Sequence, residues 1–175
     1  SCKYVNNIFL NSYSLKKIQS LKGKKNRIFK IIGNVGNLAG TANNLGIEYL
    51  LKEILPKLKK KKKFPFEIHL LGSGELSTKN LRLSKLYKEV LVRGFIKNIH
   101  YEICTSDVFL CCNNATSYNV GHTRFLHAFS LATCLVGHKR ITEVMPEIIS
   151  NKNCLLGESS DEIANILYSL KEDRI

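Results

Sequence analysis

The residues best suited to chemistry in this chain are glycines, set where short apolar runs end. The stretch 33–46, GNVGNLAGTANNLG, carries Gly33, Gly36, Gly40 and Gly46, with Asn34 and Asn37 among them. Glycine tolerates positive φ and lets a ligand approach the backbone closely. The stretch runs into an amphipathic helical pattern, whose free N–H groups and dipole would favour a phosphate. Its spacing is neither the dinucleotide G-x-G-x-x-G nor a G-K-[ST] phosphate loop. On its own it reads equally as a flexible surface turn. A second turn, Gly72-Ser73-Gly74, and a third, Gly94-Phe95-Ile96, also follow apolar runs. Phe95 either stacks on a base or caps the core. The fourth, residues 113–130, is polar and then helical, so Gly121, His122 and Thr123 fall at a helix start and present backbone amides to an anion. Arg124 is either a diphosphate partner, by its permanent charge and forked donors, or a plain surface residue. His127, one turn on, either hydrogen-bonds a ribose or is a buried helix histidine.

These turns need elements to hold them. Six strand-length apolar runs recur: 28–33, 66–72, 89–94, 107–112, 133–138 and 153–157. Between them, Ile47, Leu50, Leu51, Ile54, Leu55 and Leu58 fall at helical spacing over 44–59. Ile163, Ile166, Leu167 and Leu170 do the same near the end, after a Ser159-x-x-Glu162 capping signature. Strands alternating with helices predict βαβ units and a parallel sheet, here an α/β, Rossmann-like, doubly wound sheet of about six strands. In such a sheet ligands bind beyond the carboxyl ends of the strands, so the turns after Ile32, Leu71, Arg93, Cys112 and Val136 should build the site. Residues 1–27 read as a connecting segment with one short helix, and 28–175 as the folded domain.

Composition bounds the rest. At 175 residues, 44% hydrophobic and 23% charged, the chain suits one globular domain. Its longest apolar stretches fall far short of the roughly 20 residues that span a bilayer. The six cysteines show no zinc spacing and sit mostly inside apolar runs, which predicts reduced structural thiols in a cytosolic protein. No metal-ligand constellation is present, and neither a metal nor a cofactor is expected. The net charge of +13 draws on a lysine run at 57–63, which reads as a solvated helix end or as attraction to an anionic membrane surface. Aromatics are not interleaved with the basic residues, so nucleic acid is not the expected partner. The chain starts without Met, from which a longer natural protein is expected.

In order and spacing, several strings resemble one family: G-N…N-x-x-G-I-E-Y-L-L, L-L-G-S-G-E, V-x-x-x-G-F-I-x-N, S-D-V-F-L, G-x-x-R-F-L-x-A-F-S and M-P-E-I-I…N-C-L-L-G. They are similar to the group 1 (family 4) retaining glycosyltransferases over about residues 28–172, the C-terminal half of a two-domain GT-B fold. The form is closest to members that build bacterial surface polysaccharides or glycans, and YVNNIFL near the start resembles the segment entering this domain. The resemblance implies a UDP- or GDP-linked sugar donor. Its base would lie against 94–96, and its diphosphate against the first turn and the helix start at Gly121. It implies further an N-terminal acceptor domain in the same protein, transfer to an acceptor hydroxyl, and a cytoplasmic place at or near the inner face of the membrane. Four places depart from the family. Its two glutamates eight positions apart are Asn119 and His127, which with Arg124 are the candidate catalytic residues. Its arginine after the first glycine is Asn34, and its lysine before the later glycine is Leu45. Arg124, Lys139 and Arg140 are the candidate replacements for the lost charge. A half that binds the donor without transferring it is the alternative reading, and a basic Rossmann-like factor of another class is the third.

Overall fold

In a computed structural model, which describes residues 13–22, 28–61 and 64–172, the apolar runs form six strands in one sheet. They are β1 (Phe29–Val35), β2 (Phe66–Leu71), β3 (Val90–Gly94), β4 (Val108–Cys111), β5 (Cys134–His138) and β6 (Leu155–Gly157). All pairings are parallel and the order is β3-β2-β1-β4-β5-β6. This is the doubly wound arrangement, with its reversal of order between β1 and β4. One face is covered by α2 (Thr41–Tyr49), α3 (Leu55–Lys61), α4 (Thr78–Ser84) and α7 (Ser160–Glu172), the other by α1 (Leu15–Lys22), α5 (Ile99–Cys104) and α6 (Thr123–Ser130). The two faces carry separate apolar clusters, because alternate strand residues point to opposite sides.

The long helix predicted over 44–59 forms from 41 to 61 with a π turn at Leu50–Ile54. There the Leu55 N–H reaches back five residues to the Leu50 carbonyl. Pro56 follows at once, and in an unbroken α-helix its ring would clash with the carbonyl of Lys52, so the π turn absorbs the conflict. Leu50, Leu51, Ile54, Leu55 and Leu58 are buried, each contributing about 1.5–3 kcal/mol relative to exposure. At the end of α3 the lysines face solvent or partners. Lys57 pairs with Asp161, and Lys59 meets Glu89 at 3.2 Å and lies 5.3 Å from the Tyr87 ring centroid. Lys62 and Lys63 lie outside the described residues. At α7, Ser159 Oγ accepts from the Glu162 N–H at 3.2 Å, as its capping signature predicts.

Ahead of β1, α1 buries Ile18 and Leu21, and Lys22 Nζ donates to the Cys104 carbonyl at 3.0 Å. Cys2, Arg27 and YVNNIFL lie outside the described residues. The cysteines at 104, 111, 112, 134 and 154 are all unbridged. Burial raises the thiols of Cys104, Cys111 and Cys112, and pushes Cys154 up to about 11, so these groups stay protonated at neutral pH. Among the described residues, no helix is long and apolar enough to cross a membrane.

One glycine governs how the strand ends meet. Gly72, just after β2, has φ +147, and a Cβ there would lie 1.5 Å from the Gly36 carbonyl oxygen. Gly94 also has positive φ, +62, but nothing lies within 4 Å of its would-be Cβ. Gly72→Ala should therefore cost about 3 kcal/mol or more, since a backbone clash adds to dihedral strain, whereas Gly94→Ala should cost about 1–2 kcal/mol. Chemical denaturation of the two variants checks this; equal losses would show that the close approach is not rigid.

Candidate functional site

The switch point between β1 and β4 opens a crevice at the carboxyl ends of the strands. The turn after β1 begins later than the sequence suggested. Gly33 lies inside β1, at the residue where the register with β2 shifts, and not in the loop. A Cβ there would sit 2.8 Å from both Ile68 Cγ2 and Leu50 Cδ2, so this glycine serves helix–sheet packing and is corrected out of the ligand loop. The loop proper spans 36–40, before α2.

Three strand ends are tied together by backbone. The Gly36 N–H donates to the Leu71 carbonyl at 3.2 Å, Leu38 N–H to the Ser73 carbonyl at 2.7 Å, and Gly72 N–H to the Gly94 carbonyl at 2.8 Å. Gly74, at φ +74, packs so that a Cβ would meet Asn37 Oδ1 at 2.7 Å. Asn34, almost fully buried, bridges outward. Its Nδ2 donates to the Leu71 carbonyl at 3.2 Å, and its Oδ1 accepts from Arg124 Nη1 at 3.3 Å. The Arg124 guanidinium also lies 3.7 Å from where a Cβ on Gly36 would stand. Thus Gly36, Gly72, Gly94, Asn34 and Arg124 converge on one region.

Arg124 is carried on α6, whose N-cap is His122. The His122 N–H donates to Met145 Sδ at 3.2 Å, and a Cβ on Gly121 would meet Met145 Cγ at 3.2 Å, so Met145 supports the turn from beneath. Neither α6 nor α2 has a side chain capping its first turn. By contrast, α4 is capped by Ser77, α5 by Asn98 and α7 by Ser159. The two helices that start on either side of the switch point therefore present their free N–H groups to whatever occupies the crevice.

Other candidates fall into distinct places. Phe95 is 77% exposed and caps no core, while Ile96 packs half-buried against the α5–α6 cluster. Ser73 and Thr123 are exposed. His127 is buried and meets the His100 ring edge-on, centroids 4.6 Å apart, and the Tyr13 ring centroid lies 5.5 Å from that of His100. Burial and then the neighbouring His100 push His127 down to about 4; burial and then Arg124 do the same to His122. Both rings are neutral at pH 7, leaving Arg124 as the positive side chain at the α6 start. Asn119 donates from Nδ2 to Glu143 Oε2 at 2.6 Å and accepts from Asn114 Nδ2 at 2.9 Å. A carboxylate thus stands beside position 119, contributed by residue 143. Lys139 pairs with Glu158, and Arg140 Nη1 donates to the carbonyls of Asn114 and Thr116 at 3.3 and 2.7 Å. Both are engaged away from Asn34. Leu45 borders a separate recess with Glu48, Tyr49 and Thr116.

The sequence reading missed the asparagine scaffold. Asn43 Nδ2 donates to the Asn37 carbonyl at 2.6 Å and its Oδ1 accepts from Asn113 Nδ2 at 3.0 Å, joining the first loop to the turn after β4. Asn44 Nδ2 donates to the Leu38 carbonyl at 2.8 Å and its Oδ1 accepts from the Ser77 N–H at 3.1 Å, joining that loop to α4. The signal was present in TANNLG and CCNN. Among the described residues, no group of three or more His, Cys, Asp and Glu side chains is placed to share a metal ion.

The model of the family described as "Glycosyl transferases group 1" matches residues 29–173. No curated protein sequence matches the chain. Among solved structures it is similar to S. aureus TarM, solved with fondaparinux, α-GlcNAc-glycerol and UDP, at TM-score 0.65 and 17% identity over 85% of this chain and 30% of that one. It is similar to Anabaena HepE, solved with UDP and glucose, at TM-score 0.58 and 17% identity over 93% of this chain and 44% of that one. A glycosyltransferase from Rickettsia africae gives TM-score 0.61 and 12% identity, covering 92% and 43%. At these identities the likeness establishes the fold, and the chain spans less than half the length of each.

The two depressed histidines give a pH signature. The unfolded chain protonates near pH 6.5, but His122 and His127 in the fold resist protonation down to about 4. Their contribution is complete above pH 6.5 and is lost as pH falls towards 4. Denaturation at pH 7 and pH 5 should differ by on the order of 1–2 kcal/mol per ring. His127→Gln should shrink that difference; an unchanged difference would mean that the ring takes up its proton at the same pH in the folded and unfolded chain.

Proposed function

This chain belongs to the group 1 glycosyltransferases, and on that premise we propose that it is the donor-binding half of an enzyme moving a sugar from a UDP-sugar to an acceptor hydroxyl. The observation that carries the proposal is the pair of uncapped helix starts, at α2 and α6, with the Arg124 guanidinium held beside Gly36. Breaking the bond between sugar and diphosphate leaves negative charge on the departing phosphate oxygens. Pre-oriented amides and a fixed cation stabilise that charge without reorganising during reaction. Asn34 anchors Arg124 from a buried position, so the cation is already aimed before the donor arrives.

UDP is the nucleotide we favour over GDP, supported by its presence in the TarM and HepE structures. The uracil would rest on the exposed Phe95 and the Gly94 turn, at the end of β3. The acceptor would be met by an N-terminal domain of the same protein, with a bacterial surface glycan as product. A second reading is a half that holds the donor without turning it over. It rests on Asn34 and Leu45 standing where the family has cations, and on His127 packed against His100.

Arg124→Ala should weaken UDP binding by about 1–3 kcal/mol, roughly five- to 150-fold, the range for losing a charged hydrogen bond. Calorimetric titration of this chain reads it directly, with GDP as the comparison. Equal UDP affinity in the variant would take Arg124 out of the site. Sugar transfer by the full-length protein would then separate the catalytic from the binding-only reading.

A further inference from the structure

Beyond the crevice, a recess of about 380 Å³ opens at the carboxyl ends of β5 and β6, lined by His138, Lys139, Arg140, Thr142, Glu143 and Glu158. Its volume is at the small-molecule scale. Its lining contains two carboxylates and two permanent cations, so the charges cancel, and it has no large apolar side chain. A free anion gains little from such a lining, and an apolar ligand gains less. A neutral ring with many hydroxyls, each both donor and acceptor, matches it.

The cations are already committed. Lys139 is paired with Glu158, and Arg140 Nη1 is spent on the Asn114 and Thr116 carbonyls. His138 Nε2 donates to the Glu158 carbonyl at 2.9 Å, while its Nδ1 accepts from the Arg140 N–H at 3.3 Å, so the ring too is fixed. Glu143 differs. Its Oε2 accepts from Asn119 at 2.6 Å, and Oε1 has no partner among the described residues. Asn119 is itself held by Asn114, so the carboxylate is oriented through a short chain of amides. A carboxylate oxygen oriented in this way accepts strongly from a sugar hydroxyl. The segment 114–119 that builds this chain runs straight on to Gly121 and Arg124. A Cβ on Gly121 would lie 3.7 Å from the Val144 carbonyl, so the entry to α6 packs against the residue next to Glu143.

We propose that the recess receives the sugar of the donor and that Glu143, positioned by Asn119, is its specificity-determining acceptor. This rests on the donor-binding reading above. The test is calorimetric titration of the chain and of Glu143→Ala and Glu143→Gln with UDP, UDP-glucose, UDP-galactose and UDP-N-acetylglucosamine. Glu143 is exposed, so thermal midpoints of the variants should match the parent. For the tightest-binding UDP-sugar, Glu143→Ala should raise Kd about tenfold and Glu143→Gln by less, while Kd for UDP stays unchanged. Equal effects on UDP and UDP-sugar, or none on either, would overturn the assignment of Glu143 and leave the donor-binding reading standing. Failure of the unaltered chain to bind UDP or any of the sugars overturns both.

Discussion

Everything at this site depends on two backbones passing closer than side chains allow. The carbonyl of Gly36 occupies the space that a Cβ on residue 72 would need. That contact sets the turn after β1 directly against the turn after β2, with Gly72 in turn bonded to the Gly94 carbonyl at the end of β3. The parallel sheet brings three strand ends to one edge, but only glycine lets their turns fuse into a single wall. Asn34 then reads the position of that wall, through the Leu71 carbonyl, and transmits it to Arg124 on α6.

The electrostatics follow from that geometry. Family members place cations in the first loop, whereas here amides occupy much of the scaffold: Asn34, Asn37, Asn43, Asn44, Asn113 and Asn114. Amides fix loops without adding charge. Burial keeps His122 and His127 neutral, so the positive field near α6 comes from Arg124 and the helix starts. A site built in this way is rigid and modestly charged. Position 119 holds an amide, and the Glu143 carboxylate bonds to it across a loop contact.

Much of the fold was legible because strand-length apolar runs separated by helical spacing leave few arrangements open. The six runs at 28–33 through 153–157 all became strands, and the capping signature at Ser159 did cap α7. Gly33 misled because a glycine inside a strand and one after it look alike in sequence; only the Leu50 and Ile68 side chains pressing on it distinguish them. The π turn was implicit in Pro56, yet a helical apolar face continues across it and hides the break. Short helices α4 and α5 carry too few residues to show periodicity. The pairing of Asn119 with Glu143, 24 residues apart, is set by tertiary folding and leaves no local trace.

The crevice walled by the Gly36–Gly72 contact and the start of α6 is the place proposed to hold a pyrophosphate. A crystal structure of this chain with UDP tests it most directly. Phosphate oxygens should lie within hydrogen-bond distance of amides in the 36–42 and 122–124 segments and of the Arg124 guanidinium. A nucleotide seated elsewhere, with the Arg124 guanidinium out of reach of every phosphate oxygen and solvent at both helix starts, would contradict it.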